Sequence, residues 1–277
     1  MKIQYLGTAA AEGWPAPFCR CEKCNAARIQ KEKNIRSRSQ MLVNNDLLID
    51  FGPDTFYHSL LYGIQMDELR TVLLTHSHTD HFHPADLYLR AIPYAYGQSA
   101  EALHVFGNEK CETMYCAAAL HREAPDDFES FVRFHPAKAF QSFCSGDYEI
   151  LPLKAIHDPR ENCLLYAVKG SDQKTIFYGN DTGSVCEETW TAIKNWYFDL
   201  VSLDCTMGNQ PSCATHLGLE DAALIREKML ENGNADSNTV FVITHFSHGY
   251  TPLHEEMSAL GREKGFLTAY DGMELVL

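Results

Sequence analysis

Three histidines and an aspartate crowd into His76-Ser77-His78-Thr79-Asp80-His81. Imidazole and carboxylate are the ligands that a borderline divalent ion such as zinc accepts, and two ions a few Å apart need about this many groups. Leu73-Leu74-Thr75 reads as a buried strand that stops at His76, so the cluster falls on the loop leaving that strand. One histidine alone is more often a packed residue than a ligand. Four ligand-type side chains after a strand end reverse that preference. A second constellation is Cys19-x-Cys21-x-x-Cys24. Three thiolates this close make a closed structural zinc site if a fourth ligand completes a tetrahedron, and His248, three residues after His245, is the candidate. A redox or free-thiol cluster is the alternative.

The elements that must position these groups follow from apolar patterning. Alternation and short apolar runs predict strands near 2–7, 40–50, 70–75, 103–106, 148–156, 164–169, 174–178, 199–204, 239–244 and 273–277. Helical spacing appears near 54–63, 84–92, 109–121, 187–196, 218–231 and 252–261, with Gly63 and Gly233 as stops. Asn44-Asn45-Asp46 and Ser171-Asp172-Gln173 read as hairpin turns. Antiparallel pairs mixed with crossover helices predict an α/β fold of two sheets covered by helices. The least regular stretch, 93–127, is expected to be a helical insertion near the site.

His-x-His-x-Asp-His resembles the signature of the metallo-β-lactamase superfamily, and further landmarks of that family occur in order, each at a predicted strand end. They are Asp50 after Leu47-Leu48-Ile49, His157 after Ile156, Asp181 after Asn180 and His245 after Thr244. The resemblance implies a four-layer αβ/βα sandwich. It implies that His76, His78 and His157 hold one ion and that Asp80, His81 and His245 hold a second, with Asp181 between them. Asp50 resembles the family's buried aspartate that orients the ligand loop without binding metal. The implied chemistry is hydrolysis by a metal-bound hydroxide, with Asp80 or Asp181 orienting the attacking oxygen and Zn or Mn as the ions.

The Cys loop, at about 13–37, and the Thr244-His245-Phe246-Ser247-His248 segment narrow the resemblance to the accessory cyclic phosphodiesterase of the carbon–phosphorus lyase pathway. Asn34-Ile35-Arg36-Ser37-Arg38-Ser39 and Tyr270-Asp271-Gly272-Met273-Glu274-Leu275 are similar too. That subfamily implies a substrate-facing histidine, acting as acid or phosphate contact, in the loop after Leu203-Asp204-Cys205-Thr206; His216 takes this place here, and Asp204 is read as structural. The chain departs from the subfamily at 207–214, in 93–127 and at Asp158-Pro159-Arg160. The expected activity is hydrolysis of a small, cyclic phosphodiester. Other readings are a lactonase or ester hydrolase, a tRNA-processing type of nuclease, and a non-catalytic cofactor carrier. A di-iron redox protein of this scaffold usually has Glu where His78 stands.

Composition bounds these readings. The 277 residues, 45% hydrophobic and 22% charged, contain no low-complexity tract and are expected to form one domain over 1–277. A net charge of −14 opposes binding to long nucleic acid and leaves a small anionic substrate as the expected partner. Arg36, Arg38 and Arg160 are read as surface or ion-paired side chains. No segment approaches a membrane span, and Met1 to Glu12 lacks the apolar run of a signal peptide. Ten cysteines, three of them clustered and the rest scattered in apolar runs, fit a reducing cytoplasm. A homodimer is common in this scaffold, although no residue specifies one.

Overall fold

The structure, a computed structural model, describes residues 1–97, 101–120 and 127–277. Its strands and helices run β1 (Lys2–Gly7), α1 (Glu22–Gln30), β2 (Gln40–Val43), β3 (Leu47–Ile49), α2 (Thr55–Tyr62), β4 (Thr71–Leu73), β5 (Leu103–Gly107), α3 (Glu109–Ala119), β6 (Val132–Pro136) and β7 (Phe143–Ser145). They continue with β8 (Tyr148–Lys154), β9 (Leu164–Gly170), β10 (Thr175–Gly179), α4 (Glu187–Ile193), β11 (Leu200–Asp204), α5 (Leu219–Glu231), β12 (Val240–Thr244), α6 (His254–Glu263), β13 (Leu267–Thr268) and β14 (Met273–Val276).

The strands form two seven-stranded sheets, ordered β14-β1-β2-β3-β4-β5-β6 and β13-β12-β11-β10-β9-β8-β7. The period of two in the strand sequences decides how the sheets stack. Leu164, Tyr166 and Val168 of β9 point into a cluster shared with Ile3, Tyr5, Leu47 and Ile49 of the other sheet. Leu165 and Ala167 point the opposite way, to a cluster that holds Trp190, Ile193, Leu219, Ala222, Met229 and Met257 of α4, α5 and α6. Leu48 and Val72 likewise face away from the centre, towards Cys111 and Tyr115 of α3. Both sheets are therefore apolar on both faces, and the result is the expected four-layer α/β sandwich.

Strand direction matters for function. β3, β4, β5 and β6 are mutually parallel, as are β10, β11, β12 and β13. β8 and β10 each pair antiparallel with β9, so β8 points the same way as β10. The carboxyl ends of β3, β4, β8, β10, β11 and β12 consequently deliver their following loops to one edge of the sandwich. Among the described residues, no helix is long and apolar enough to cross a membrane.

Several elements differ from expectation. Pro84–Arg90 forms a 3-10 helix, with Leu87 its one buried residue, where an α-helix was predicted. The Cys loop contains α1, whose N-cap is Cys21. Within 93–127, expected as a helical insertion, β5 lies between β4 and β6 in the parallel run of the first sheet and α3 packs on its outer face. Those residues belong to the sandwich itself. Residues 98–100 and 121–126 of that stretch lie outside the described residues.

Candidate metal centre

Three strand ends turn sharply where the centre begins. Asp50, Asp181 and His245 adopt left-handed backbone conformations, with φ of 67°, 56° and 63°. Non-glycine residues carry a cost of about 1–3 kcal/mol in that region and persist there only where the surroundings fix them. Here the turn swings each side chain off its strand and towards the common edge. The loop after β4 is fixed in the same way. Asp50 accepts hydrogen bonds from the Thr75 amide and hydroxyl, both at 2.9 Å, and from His81 Nδ1 at 2.6 Å. A Cβ on Gly52 would lie 2.0 Å from the Asp80 carbonyl oxygen, so only glycine lets the β3 exit pass this close to the ligand loop.

His76, His78 and His157 come together as one group; Asp80, His81, Asp181 and His245 form a second. Asp181 lies between the two. One of its oxygens is 2.9 Å from His81 Nε2, 3.4 Å from His76 Nε2 and 3.8 Å from His157 Nε2; the other is 2.9 Å from His245 Nε2. Asp80 reaches His81 Nε2 at 3.0 Å. The seven side chains singled out in the sequence thus converge, and most are fully buried.

The outward nitrogens show which way each ring faces. The Thr75 hydroxyl donates to Asp50, so it accepts from His76 Nδ1, 2.9 Å away. His81 Nδ1 donates to Asp50, His157 Nδ1 to the Thr215 carbonyl at 3.2 Å, and His245 Nδ1 lies 2.8 Å from the Thr206 hydroxyl. Nε2 of all four therefore points inward. His78 is reversed: its Nε2 lies 3.0 Å from Asp158, and its Nδ1 faces His157 Nε2 at 3.2 Å. Inward Nε2 of His76, His81 and His245 and one oxygen of Asp181 are buried without a hydrogen-bond partner. A buried polar atom left unpaired is costly, and these four, gathered around Asp181 between the two groups, are what bound cations would satisfy.

Electrostatics agree with that fit. Burial, reinforced by His81, pushes His76 well below the ordinary histidine range, into the neutral form that ligates. Burial opposes ionisation of Asp181, but His245 and His81 outweigh it and hold the carboxyl well below its usual range. For His81 burial is outweighed by Asp80, Asp50 and Asp181, so its proton is held up in the absence of an ion.

A family model described as the beta-lactamase superfamily domain matches residues 45–246, more than half the chain. The chain belongs to the beta-lactamase superfamily. Its metallo-β-lactamase fold and His/Asp cluster make it a metallo-hydrolase with a divalent-metal site. Among solved structures, a diphosphatase from the PhnP family is 22% identical with a TM-score of 0.76, over 100% of this chain and 97% of that one. Zn(2+)-bound PqqB from Methylobacterium extorquens is 18% identical, with a TM-score of 0.71 over 100% of both chains. The short form of human tRNase Z is 17% identical, with a TM-score of 0.67 over 100% of this chain and 99% of that one. No curated protein matches the chain.

Beside the superfamily centre stands His216, with Nδ1 3.0 Å from the wholly buried Asp204 carboxylate and the ring stacked on His245 at 5.8 Å between centroids. Burial alone would lower its pKa, but the hydrogen bond and charge of Asp204 push it up to about 9. Arg36, expected to be a surface or ion-paired side chain, is buried and donates to Thr8 and the Ala269 carbonyl; Arg38 pairs with Asp54 at 2.9 Å.

Cys19, Cys21, Cys24 and His248 converge at a separate point. Cys19 and Cys21 sulfurs lie 3.8 and 3.6 Å from His248 Nδ1. A tetrahedral zinc with thiolate and imidazole ligands has an S to N edge of about 3.5 Å, so the donor set fits such an ion. All three thiols are free. The Cys24 amide, donating to Cys21 sulfur, is the largest influence holding that thiol down at about 6. Sequence reasoning missed Thr75, Thr206, the Thr215 carbonyl and Asp158 as partners of the rings. Only Thr75 and Asp158, each adjacent to a histidine of the centre, left a signal in the sequence.

Proposed function

We propose that the chain is a metal-dependent phosphodiesterase that hydrolyses a small, cyclic phosphodiester. The observation that carries this reading is the convergence of seven His and Asp side chains, with Nε2 of His76, His81 and His245 and one Asp181 oxygen buried without a hydrogen-bond partner, next to His216, which Asp204 holds through Nδ1. His76, His78 and His157 would hold one divalent ion, Zn or Mn, and Asp80, His81 and His245 a second, with Asp181 shared. Bound there, the ions would lower the pKa of water and polarise the phosphoryl oxygen.

The protein's own groups do the rest. Asp80, held ionised by His81 against the effect of burial, accepts a hydrogen bond from the attacking oxygen and fixes its direction. His216, held by Asp204 through Nδ1, presents Nε2 to the leaving oxygen as proton donor or phosphate contact. Cys19, Cys21, Cys24 and His248 would hold a structural zinc that fastens the loop bearing α1 beside the centre; the Ser247 hydroxyl, next to His248, donates to Glu12 at 2.6 Å.

Phosphoryl chemistry is favoured by the similarity to a diphosphatase of the PhnP family. A tRNA substrate is disfavoured by the net charge of −14, which repels a long phosphate backbone. The test is hydrolysis of bis-p-nitrophenyl phosphate by protein supplied with Zn or Mn. Cleavage that disappears in His78→Ala is expected. Full activity in that variant, or metal-loaded protein that cleaves carboxylic esters and no phosphodiester, overturns the reading.

A further inference from the structure

The reversed ring of His78 needs a cause. Four histidines of the centre present Nε2 inward and tie Nδ1 to a hydroxyl, a carbonyl or Asp50. His78 presents Nδ1 inward, and its Nε2 meets Asp158 at 3.0 Å. The His78 side chain is 36% exposed, so packing does not orient the ring as it does for the wholly buried His76 and His81. A hydrogen bond must do it.

Asp158 is itself immobilised. Arg160 grips the carboxylate with Nε at 2.9 and 3.1 Å from its two oxygens and with NH2 at 2.7 Å from the oxygen that faces His78. The Arg160 amide adds a bond at 2.9 Å to the other oxygen. The guanidinium lies at the surface, 73% exposed, while the carboxylate beneath it is 6% exposed. Arginine suits this task because its planar fork fixes a carboxylate in two contacts, which a lysine cannot do.

We infer that Asp158 is a positioning residue for the metal centre, holding the proton of His78 on Nε2 so that Nδ1 faces the ions, and that Arg160 locks Asp158 in place. The pairing extends to this exposed ligand the arrangement that Asp50 provides for His81 at the buried end of the centre. It comes from Asp158-Pro159-Arg160, a segment where the chain departs from the subfamily it resembles.

The inference rests on the metal reading of the centre and not on the phosphodiester substrate, so it is tested without substrate. Metal-stripped protein is titrated with Co2+, and the visible spectrum reports ligation at the centre. In Asp158→Ala, one ion should bind about 10- to 100-fold more weakly than in wild type, with a changed spectrum. Asp158→Asn, whose amide oxygen still accepts from Nε2, should restore most of that affinity. Arg160→Ala should weaken the same ion by less. Thermal unfolding of the metal-free variants should match wild type. Wild-type Co2+ affinity and spectrum in Asp158→Ala overturn the inference. If that variant does not fold, the side-chain 15N shifts of His78 in metal-free wild type decide: a proton on Nε2 upholds it, and a proton on Nδ1 overturns it.

Discussion

The Asp50 carboxylate and His81 Nδ1 lie 2.6 Å apart with both side chains wholly removed from solvent. The same carboxylate takes the amide and hydroxyl of Thr75, and that hydroxyl in turn accepts from His76. One buried residue at the end of β3 therefore orients histidines of both His/Asp groups and ties β3 to the loop after β4.

Asp50→Ala should damage folding and metal binding together. The change leaves the Thr75 amide, the Thr75 hydroxyl and His81 Nδ1 short of an acceptor, and each buried unpaired group costs about 1–3 kcal/mol. A loss of several kcal/mol in urea unfolding of the metal-free protein is expected, with metal affinity reduced about 10- to 100-fold. Retention of wild-type stability and full metal content after dialysis would refute the role given to Asp50.

His216→Asn should separate binding from turnover. The ring touches the centre but is not needed to fill either metal group, so metal content should stay at the wild-type level. Loss of a proton donor typically lowers kcat by about 10²- to 10⁴-fold, with a smaller effect on KM if the residue serves only as an acid. Steady-state kinetics on bis-p-nitrophenyl phosphate check this, and an unchanged kcat removes His216 from the reaction.

The centre was legible because each of its groups follows an apolar run that can only be a buried strand: Asp50 after Leu47–Ile49, Asp181 two residues after β10, His245 directly after β12. What the sequence hid were elements with little apolar signal. Helix α1 buries only Cys24 and Ala27, so its pattern is indistinguishable from a polar loop. Strand β6 reads Val-Arg-Phe-His-Pro and sits at a sheet edge, where one fully buried residue suffices. Leu87-Tyr88-Leu89 suggested an α-helix at 84–92, yet an apolar run with only Leu87 buried supplies no stripe for one. Ring orientation was also invisible, since it depends on which acceptor meets the second nitrogen in space.

Cys21→Ser should remove one zinc and leave the His/Asp centre loaded. The cluster is built from its own four side chains and shares none with the centre. Because Cys21 also caps α1, with the Cys24 amide 3.4 Å from its sulfur, the loop from about 13 to 37 should become susceptible to proteolysis in the variant. Elemental analysis together with limited trypsin digestion tests this. Unchanged zinc content would show that the three thiols hold no ion.

Stability of the metal-free protein should fall on mild acidification, through His58 and His254. Burial, only partly opposed by Asp54, pushes His58 down to about 4; burial and then Arg36, whose guanidinium is 2.9 Å from Nδ1, do the same to His254. His58 is locked between Gln40 at 2.6 Å and Ser37 at 2.7 Å. A histidine whose folded pKa lies below its unfolded value of about 6.5 contributes stability that is present above that value and is lost as pH falls through about 4. Asp271 acts in the opposite sense: burial pushes it up to about 6 against hydrogen bonds from Ser37 and Thr8, so its contribution is present in acid and is lost as pH rises through that value. His58→Gln isolates the histidine, because glutamine can bond Ser37 without titrating. Between about pH 7.5 and pH 4.5, wild type should lose on the order of 2 kcal/mol more in urea unfolding than the variant does. Equal losses in the two proteins would mean that His58 titrates normally in the fold and that the acid sensitivity arises elsewhere.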